Sequence, residues 1–341
     1  MEKDYKISYI RAISTVLVVL IHIAQKISIT YSKASLFSDW FNVGLVMFFV
    51  ISAYLYSQRT IEFPKKWLLK RYMELIIPSI IVVIITVSVF CLFTDVVTTS
   101  KVICAFLSGM GFEEFVPDKW VFIQLWYLTY ILICYLLIPL IQKIKFKEMN
   151  CLLFWGGIIA ATIIFQGIPI VIKTFLSIDI SISWAQLFRF LFPYVIFRRY
   201  DFVSGKLKRI MCVLTVLSLS AILVTCYVRY MINLDGLFAS VAELIYIYTL
   251  TITGVVLFYW LYLFFGKVDN CKNLCRFTDR YSYPVYLTHC LFIGYSTSVI
   301  DRFDNMAFGV LVALLCTAIA SFVLEFLSSR IKCRVIAKLM N

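Results

Sequence analysis

The sequence predicts an all-α fold: a polytopic membrane helical bundle of about ten transmembrane helices with both termini cytoplasmic. Three observations predict it. Of the 341 residues, 62% are apolar and only 15% are charged, against roughly 25% charged in an ordinary soluble domain. Eight stretches of about a helix length carry no Asp, Glu, Lys or Arg. The Lys and Arg that remain gather in alternate connecting segments. Such a composition excludes a fused soluble catalytic domain, a DNA-binding module and a disulfide-stapled secreted fold. With no internal repeat and no Gly/Ser linker, residues 1–341 read as one domain.

In chain order the uncharged stretches run 40–58, 75–94, 120–142, 149–172, 210–228, 244–266, 281–300 and 305–324. A bilayer demands about 20 mainly apolar residues of each helix that crosses it, and each stretch is near that length. Two further spans fill the gaps: one near 8–29, whose apolar part begins after Arg11, and one near 183–198, interrupted by Arg189. The first is too long for a signal-peptide core and has no small-residue cleavage site behind it, so it reads as a retained span. The longest outer loop, about 95–119, and the cytoplasmic segment 58–74 are the places for short interfacial helices.

Cytoplasmic loops carry an excess of Lys and Arg. With the N-terminus inside, 24 of the 32 basic residues fall on inner segments around 3–11, 59–71, 143–147, 198–209, 267–280 and 330–338. Outer segments hold seven, namely Lys26, Lys33, Lys101, Lys119, Lys173, Arg229 and Arg302. The net charge of +13 therefore follows from topology and contact with anionic inner-leaflet lipid, with no nucleic-acid partner expected. Most of the eleven cysteines lie inside spans as small apolar groups. Cys271 and Cys275 have a spacing that permits a metal, but no histidine or second cysteine pair lies near them in sequence, so no metal is expected.

Function must then come from polar groups at membrane depth, where an ionisable residue is costly. The chain has two histidines, His22 and His289, and both fall inside predicted spans. Arg11 and His22 are eleven residues apart. At about 100° and 1.5 Å per residue they share one helix face, separated by about 16 Å. Thr15, Val18 and Gln25 lie near the same line. His289 ends the run Tyr281-Ser-Tyr-Pro-Val-Tyr-Leu-Thr-His289, in which Pro284 frees a backbone carbonyl. Imidazole titrates closest to neutrality, so two near-central histidines suit proton transfer. The plain alternative is that each histidine only bonds a neighbouring helix.

Five motifs in order resemble the integral-membrane acyltransferase family 3, whose bacterial members O-acetylate cell-envelope sugars. Arg11-x10-His22 is similar to its first-helix motif, and Phe48-Phe49-Val50-Ile51-Ser52-Ala53-Tyr54-Leu55 resembles its Phe-Phe-x-x-Ser-Gly-aromatic-Leu segment. Lys70-Arg71-Tyr72-Met73-Glu74 before Pro78 resembles its basic motif, and Leu125-Trp126-Tyr127-Leu128 with Tyr135 and Pro139 its Trp-aromatic-Leu helix. Ser282 to His289 is similar to its late Tyr-Leu-x-His motif, and Glu325 sits where members often carry an acid. Two positions depart: Ala53 replaces the usual glycine, and Glu74 replaces the usual second arginine.

The resemblance implies a plasma-membrane O-acyltransferase of a bacterium that moves acetyl from cytoplasmic acetyl-CoA to a hydroxyl of a polysaccharide or lipid-linked sugar. It implies His22 as general base and His289 as a second acid/base or orienting group. Arg11 and Arg71 are then candidates to stabilise developing charge or hold the donor's phosphates, with Lys70 and Trp126 beside them. Ser52, Tyr54, Tyr127 and Tyr286 are expected to line the substrate path. Arg189 could pair with Glu243 or meet the acceptor, and Glu325 could pair with Arg71. A flippase or other transporter of lipid-linked sugars, or a polymerase, is the rival class. A transporter calls for inverted repeats and midplane helix breaks, and 12 glycines with no visible repeat count against it; a polymerase calls for a long charged outer loop, and the longest here is about 25 residues.

Overall fold

The computed structural model describes residues 4–31, 34–93, 97–118, 122–176, 182–231, 236–268, 271–294 and 298–340. Lys3, Lys33 and Lys119, used in the charge count above, lie outside them, as do the side chains of Lys173 and Arg229. Among the described residues every regular element is helical. The α-helices are α1 Tyr5–Ser28, α2 Ala34–Phe41, α3 Val43–Ser57, α4 Pro64–Phe93, α5 Thr99–Leu107, α6 Trp126–Ile141, α7 Cys151–Leu176, α8 Trp184–Arg199, α9 Gly205–Met231, α10 Gly236–Phe265, α11 Lys272–Ile293 and α12 Met306–Met340.

Each expected span overlaps a helix, although 281–300 runs past the end of α11 at Ile293, and seven helical stretches are long and apolar enough to cross a membrane. These are α1, the continuous α2–α3 stretch, α4, α7, α9, α10 and α12. The others fall short for identifiable reasons. α6 and α8 have 16 residues each, about 24 Å at 1.5 Å per residue. In the stretch expected at 120–142, Ile123–Leu125 forms a 3-10 turn and α6 begins only at Trp126. α11 has 22 residues, but its first half carries Lys272, Arg276, Asp279 and Arg280. The segment 58–74 holds no separate interfacial helix; instead Pro64 opens α4, where a missing N–H costs nothing because that group has no intrahelical partner anyway. The outer loop does hold short elements: α5, capped by Thr98 Oγ1 accepting from Lys101 N, then a wide turn Ser108–Phe112 and a 3-10 turn Glu113–Phe115.

The chain divides into two compact units. The first contains Met1–Phe41, Ile61–Leu136 and Asn270–Asn341; the second contains Asn42–Thr60 and Leu137–Asp269. In the first unit α1 packs on α11 and α2, while α12 packs on α11 and α4. α1 buries Ile7, Ile10, Ser14, Val18 and Ile21, a three-and-four spacing that makes one helix stripe. The buried stripe of α11 is Cys275, Thr278, Ser282, Tyr286, His289 and Ile293. Five of these six carry polar atoms, which membrane interiors admit where partners meet them. Thr288 Oγ1 and Ser321 Oγ lie 2.8 Å apart between α11 and α12. Ile293, Ile300 and Ala313 form an apolar core with Val19 and Ile23 of α1 packed against it.

In the second unit α3 packs on α8 and α10, and α10 on α9 and α8. Gly254 permits a close approach of α10 to α3, because a Cβ there would lie 2.5 Å from Val46 Cγ1. An aromatic cluster of Tyr54, Phe197, Phe202, Phe258 and Tyr262 fills this unit, with Tyr54 Oη donating to Tyr262 Oη at 3.1 Å.

Candidate active site

α1 and α11 run in parallel, and two pairs of side chains fix their register. Near one end the Arg11 guanidinium is bonded to the Asp279 carboxylate, which also accepts from Ser8 Oγ at 2.9 Å. Eleven residues along α1 and ten along α11, the His22 and His289 rings meet with centroids 5.0 Å apart. At 1.5 Å per residue those advances are about 16 and 15 Å, so two parallel helices keep both pairs in step. The polar face of α1 thus meets α11 at both levels. Because about 16 Å separates Arg11 from His22 along the axis, Arg11 lies too far away to stabilise charge on a group bonded to His22. Its visible work is positioning.

Hydrogen bonds decide how each ring is held. His22 Nδ1 lies 2.8 Å from Gln25 Oε1, and His289 Nδ1 lies 3.1 Å from the Val285 carbonyl oxygen. The Val285 carbonyl only accepts, so His289 Nδ1 carries the proton and the neutral ring keeps its lone pair on Nε2; with Gln25 Oε1 as the acceptor, the neutral His22 ring has the same tautomer. Cys290 Sγ is 3.3 Å from His289 Nε2, which makes the thiol a donor to that lone pair. His289 is wholly buried, whereas His22 is half-buried. Of the two, His22 is the more reachable and has the less engaged Nε2.

Of the expected aromatics, Tyr286 stands beside the histidines and Tyr127 beside Tyr286. Tyr286 lies 5.9 Å from the His289 ring and 5.4 Å, edge-on, from Tyr127, and its hydroxyl donates to the Gln124 carbonyl. Gln124 Nε2 reaches the Leu287 carbonyl at 3.5 Å. Trp126 packs edge-on to Tyr130 at 5.8 Å. On α4, Arg71 Nη1 is bonded to Glu74 Oε2 at 2.6 Å, while Lys70 beside it forms no ion pair among the described residues. One turn on, the Leu75 carbonyl accepts from Tyr283 Oη at 2.8 Å and ties α4 to α11.

The expected pairing of Glu325 with Arg71 is not formed. Glu325 lies instead 3.4 Å from Arg280 and 3.5 Å from Lys332, because the unexpected residue Glu74, three positions along α4, takes the Arg71 charge. Ser52, Tyr54, Arg189 and Glu243 all belong to the second unit, where Arg189 is buried and Glu243 exposed. That unit also holds a cavity of about 440 Å³ lined by Gln58, Gln142, Lys145, Lys147, Arg198 and Asp201, among others. It shares no residue with the histidine cluster, and Lys147 in it is already paired with Asp201 at 2.7 Å.

Sequence reasoning missed Asp279, Gln124 and Cys290. Asp279 had a faint signal, being an acid ten residues before His289, the same offset within one residue as Arg11 before His22. Cys290 had none, since successive residues on a helix point in different directions and only the ring geometry brings its sulfur to His289.

The whole arrangement can take a proton at His22 Nε2 within a polar seam. Residues 4–328 match the family model described as "Acyltransferase domain". The chain belongs to this acyltransferase family. The match spans both units and includes both histidines, Arg11 and Asp279. Among curated proteins and among solved structures nothing matches the chain. For an acyltransferase, the polar seam between α1 and α11 is the natural candidate for the reacting centre, since transfer to a hydroxyl needs a base within hydrogen-bond reach.

Proposed function

We propose that this membrane acyltransferase moves an acetyl group from cytoplasmic acetyl-CoA to a sugar hydroxyl of a cell-envelope polysaccharide or its lipid-linked precursor, in a bacterial plasma membrane. The observation that carries the reading is the meeting of His22 and His289 in the seam between α1 and α11, each with Nδ1 bonded to an oxygen, and with the His22 Nε2 left to accept while that of His289 meets the Cys290 thiol. A hydroxyl is a weak nucleophile until its proton leaves. His22 Nε2 takes that proton as the oxygen attacks the thioester carbonyl carbon. When the carbon–sulfur bond breaks, His22 returns the proton to the departing thiolate and is ready again. His289, pinned by Val285 and Cys290, orients the seam beside it. Gln25 holds the His22 tautomer, as the hydrogen bond on one ring nitrogen decides the role of the other.

The donor's phosphates require basic groups at the inner face. Lys70 is the cation of the basic motif best suited to this, with Arg71 sharing its charge with Glu74. Arg11 and Asp279 lock the inner end of the seam. Ten spans with both termini cytoplasmic fit the basic residues on alternate segments. Parallel α1 and α11 fit as well, since they require an odd number of crossings between them.

The test uses purified protein in lipid vesicles with labelled acetyl-CoA and an envelope glycan. Label entering the glycan as an alkali-labile ester, with one free CoA thiol released per ester, is the expected result. Thiol release without ester, or neither, would sink the assignment of a sugar acceptor.

A further inference from the structure

The histidine seam also has a second chemistry. One ring nitrogen from each of His22 and His289 and the Cys290 sulfur lie within 4.8 Å of one another. We propose that these three side chains form a binding site for a soft divalent cation of the zinc class, and that its occupancy blocks acyl transfer.

Three features support the site. Tetrahedral zinc with bonds of about 2.0–2.3 Å places its ligand atoms about 3.3–3.8 Å apart. The His289 Nε2 to Cys290 Sγ distance is 3.3 Å, so only the approach of His22 must tighten, by about 1 Å on that geometry. Both Nδ1–H groups already donate to oxygen, His22 to the Gln25 side chain and His289 to the Val285 carbonyl. Metal-bound histidines are held in this way, with the second nitrogen anchored so that the lone pair aims at the ion. Nitrogen and sulfur ligands with no carboxylate select zinc or cobalt over magnesium or calcium. On binding, the Cys290 thiol gives up its proton to solvent and both Nε2 lone pairs become metal bonds. The fourth position stays open to water. Blockade follows because the ion occupies the lone pair that His22 uses as base, a consequence that rests on the acyl-transfer reading. The site itself does not.

The experiment takes the full chain, purified in detergent and stripped with chelator, and titrates it with Co²⁺. Expected is a saturating sulfur-to-cobalt charge-transfer absorption with the visible bands of a four-coordinate ion, displaced by Zn²⁺. Cys290→Ser removes the sulfur band, and His22→Gln, which removes a ligand, weakens cobalt binding by at least the roughly tenfold to hundredfold that loss of an outer-shell partner costs. Cys271→Ser/Cys275→Ser keeps the band, which separates the seam from the Cys271/Cys275 pair. No sulfur band in the wild type, or an equal band in Cys290→Ser, overturns the site. Because Cys290→Ser could alter packing, its thermal unfolding is measured beside it, and Cys290→Ala must lose the band as well. In the transfer assay, Zn²⁺ at the occupancy read from cobalt displacement slows acetylation and chelator restores it. Full activity at full occupancy overturns the blockade. A chain that binds cobalt through Cys290 yet transfers no acetyl would refute the acyl-transfer reading alone.

Discussion

His22 and His289 sit in one seam but are held differently, and the difference assigns their work. His22 is half-buried with its Nε2 lone pair free of the Cys290 thiol, whereas His289 is wholly buried and engaged at both nitrogens. His22→Ala is therefore expected to reduce transfer by at least about 10²-fold, the lower bound for loss of a general base, while the protein stays inserted. Steady-state kinetics with a membrane-level immunoblot check this. The Arg11–Asp279 pair makes a second prediction at this scale. Removing one partner leaves an uncompensated charge in a largely buried place, so Arg11→Ala and Asp279→Ala each lower thermal stability, and the double variant loses less than the two losses together. A thermal-unfolding double-mutant cycle should give roughly 0.5–3 kcal/mol of coupling. Arg11 and His22 were legible in the sequence because both lie on one helix and helical periodicity fixes their shared face. Asp279 and Cys290 were not, because their importance arises only when α11 is set in register against α1.

At the scale of elements, α4 brings the basic motif to the unit that holds the histidines, and Tyr283 ties it to α11. Glu74 neutralises Arg71 there. Glu74→Arg removes that pair and adds a cation, so the KM for acetyl-CoA is expected to fall or stay level with little change for the acceptor; a complete loss of activity would show that Glu74 has its own task. Lys70→Ala should raise the acetyl-CoA KM more than the acceptor KM. In the second unit, Gly254→Val would push side-chain atoms into Val46, where even a Cβ lies at 2.5 Å. Overpacking of this kind costs about 1–3 kcal/mol, read as a lower unfolding temperature in detergent. Helix positions were legible from uncharged stretches, but helix ends were not. At α6 the uncharged run 120–142 contains a 3-10 turn before Trp126, and lack of charge carries no information about that. At α4 the run of basic residues hid the helix start, because Lys65, Lys66, Lys70 and Arg71 read as part of a separate interfacial segment, 58–74, although they continue the apolar helix behind them.

For the whole molecule, membership of the acyltransferase family and seven membrane-length helices join a chemistry to a place. The proposed topology has a direct consequence: reporters fused to either terminus should be active only in the cytoplasmic form, and a mixed result would demand an odd number of crossings. Composition alone made the membrane legible, since 62% apolar residues leave no soluble alternative. The acceptor was not legible, because no sugar-specific residue pattern distinguishes one hydroxyl from another. The central claim, acyl transfer with His22 as base, is tested most directly by the O-acetyl content of envelope polysaccharide. The strains to compare lack the gene and are complemented with wild type or with His22→Ala at matched membrane levels. Acetyl restored by the wild type alone is the predicted result. Equal acetylation with His22→Ala, or unchanged acetylation in every strain with less polysaccharide at the surface, would contradict it.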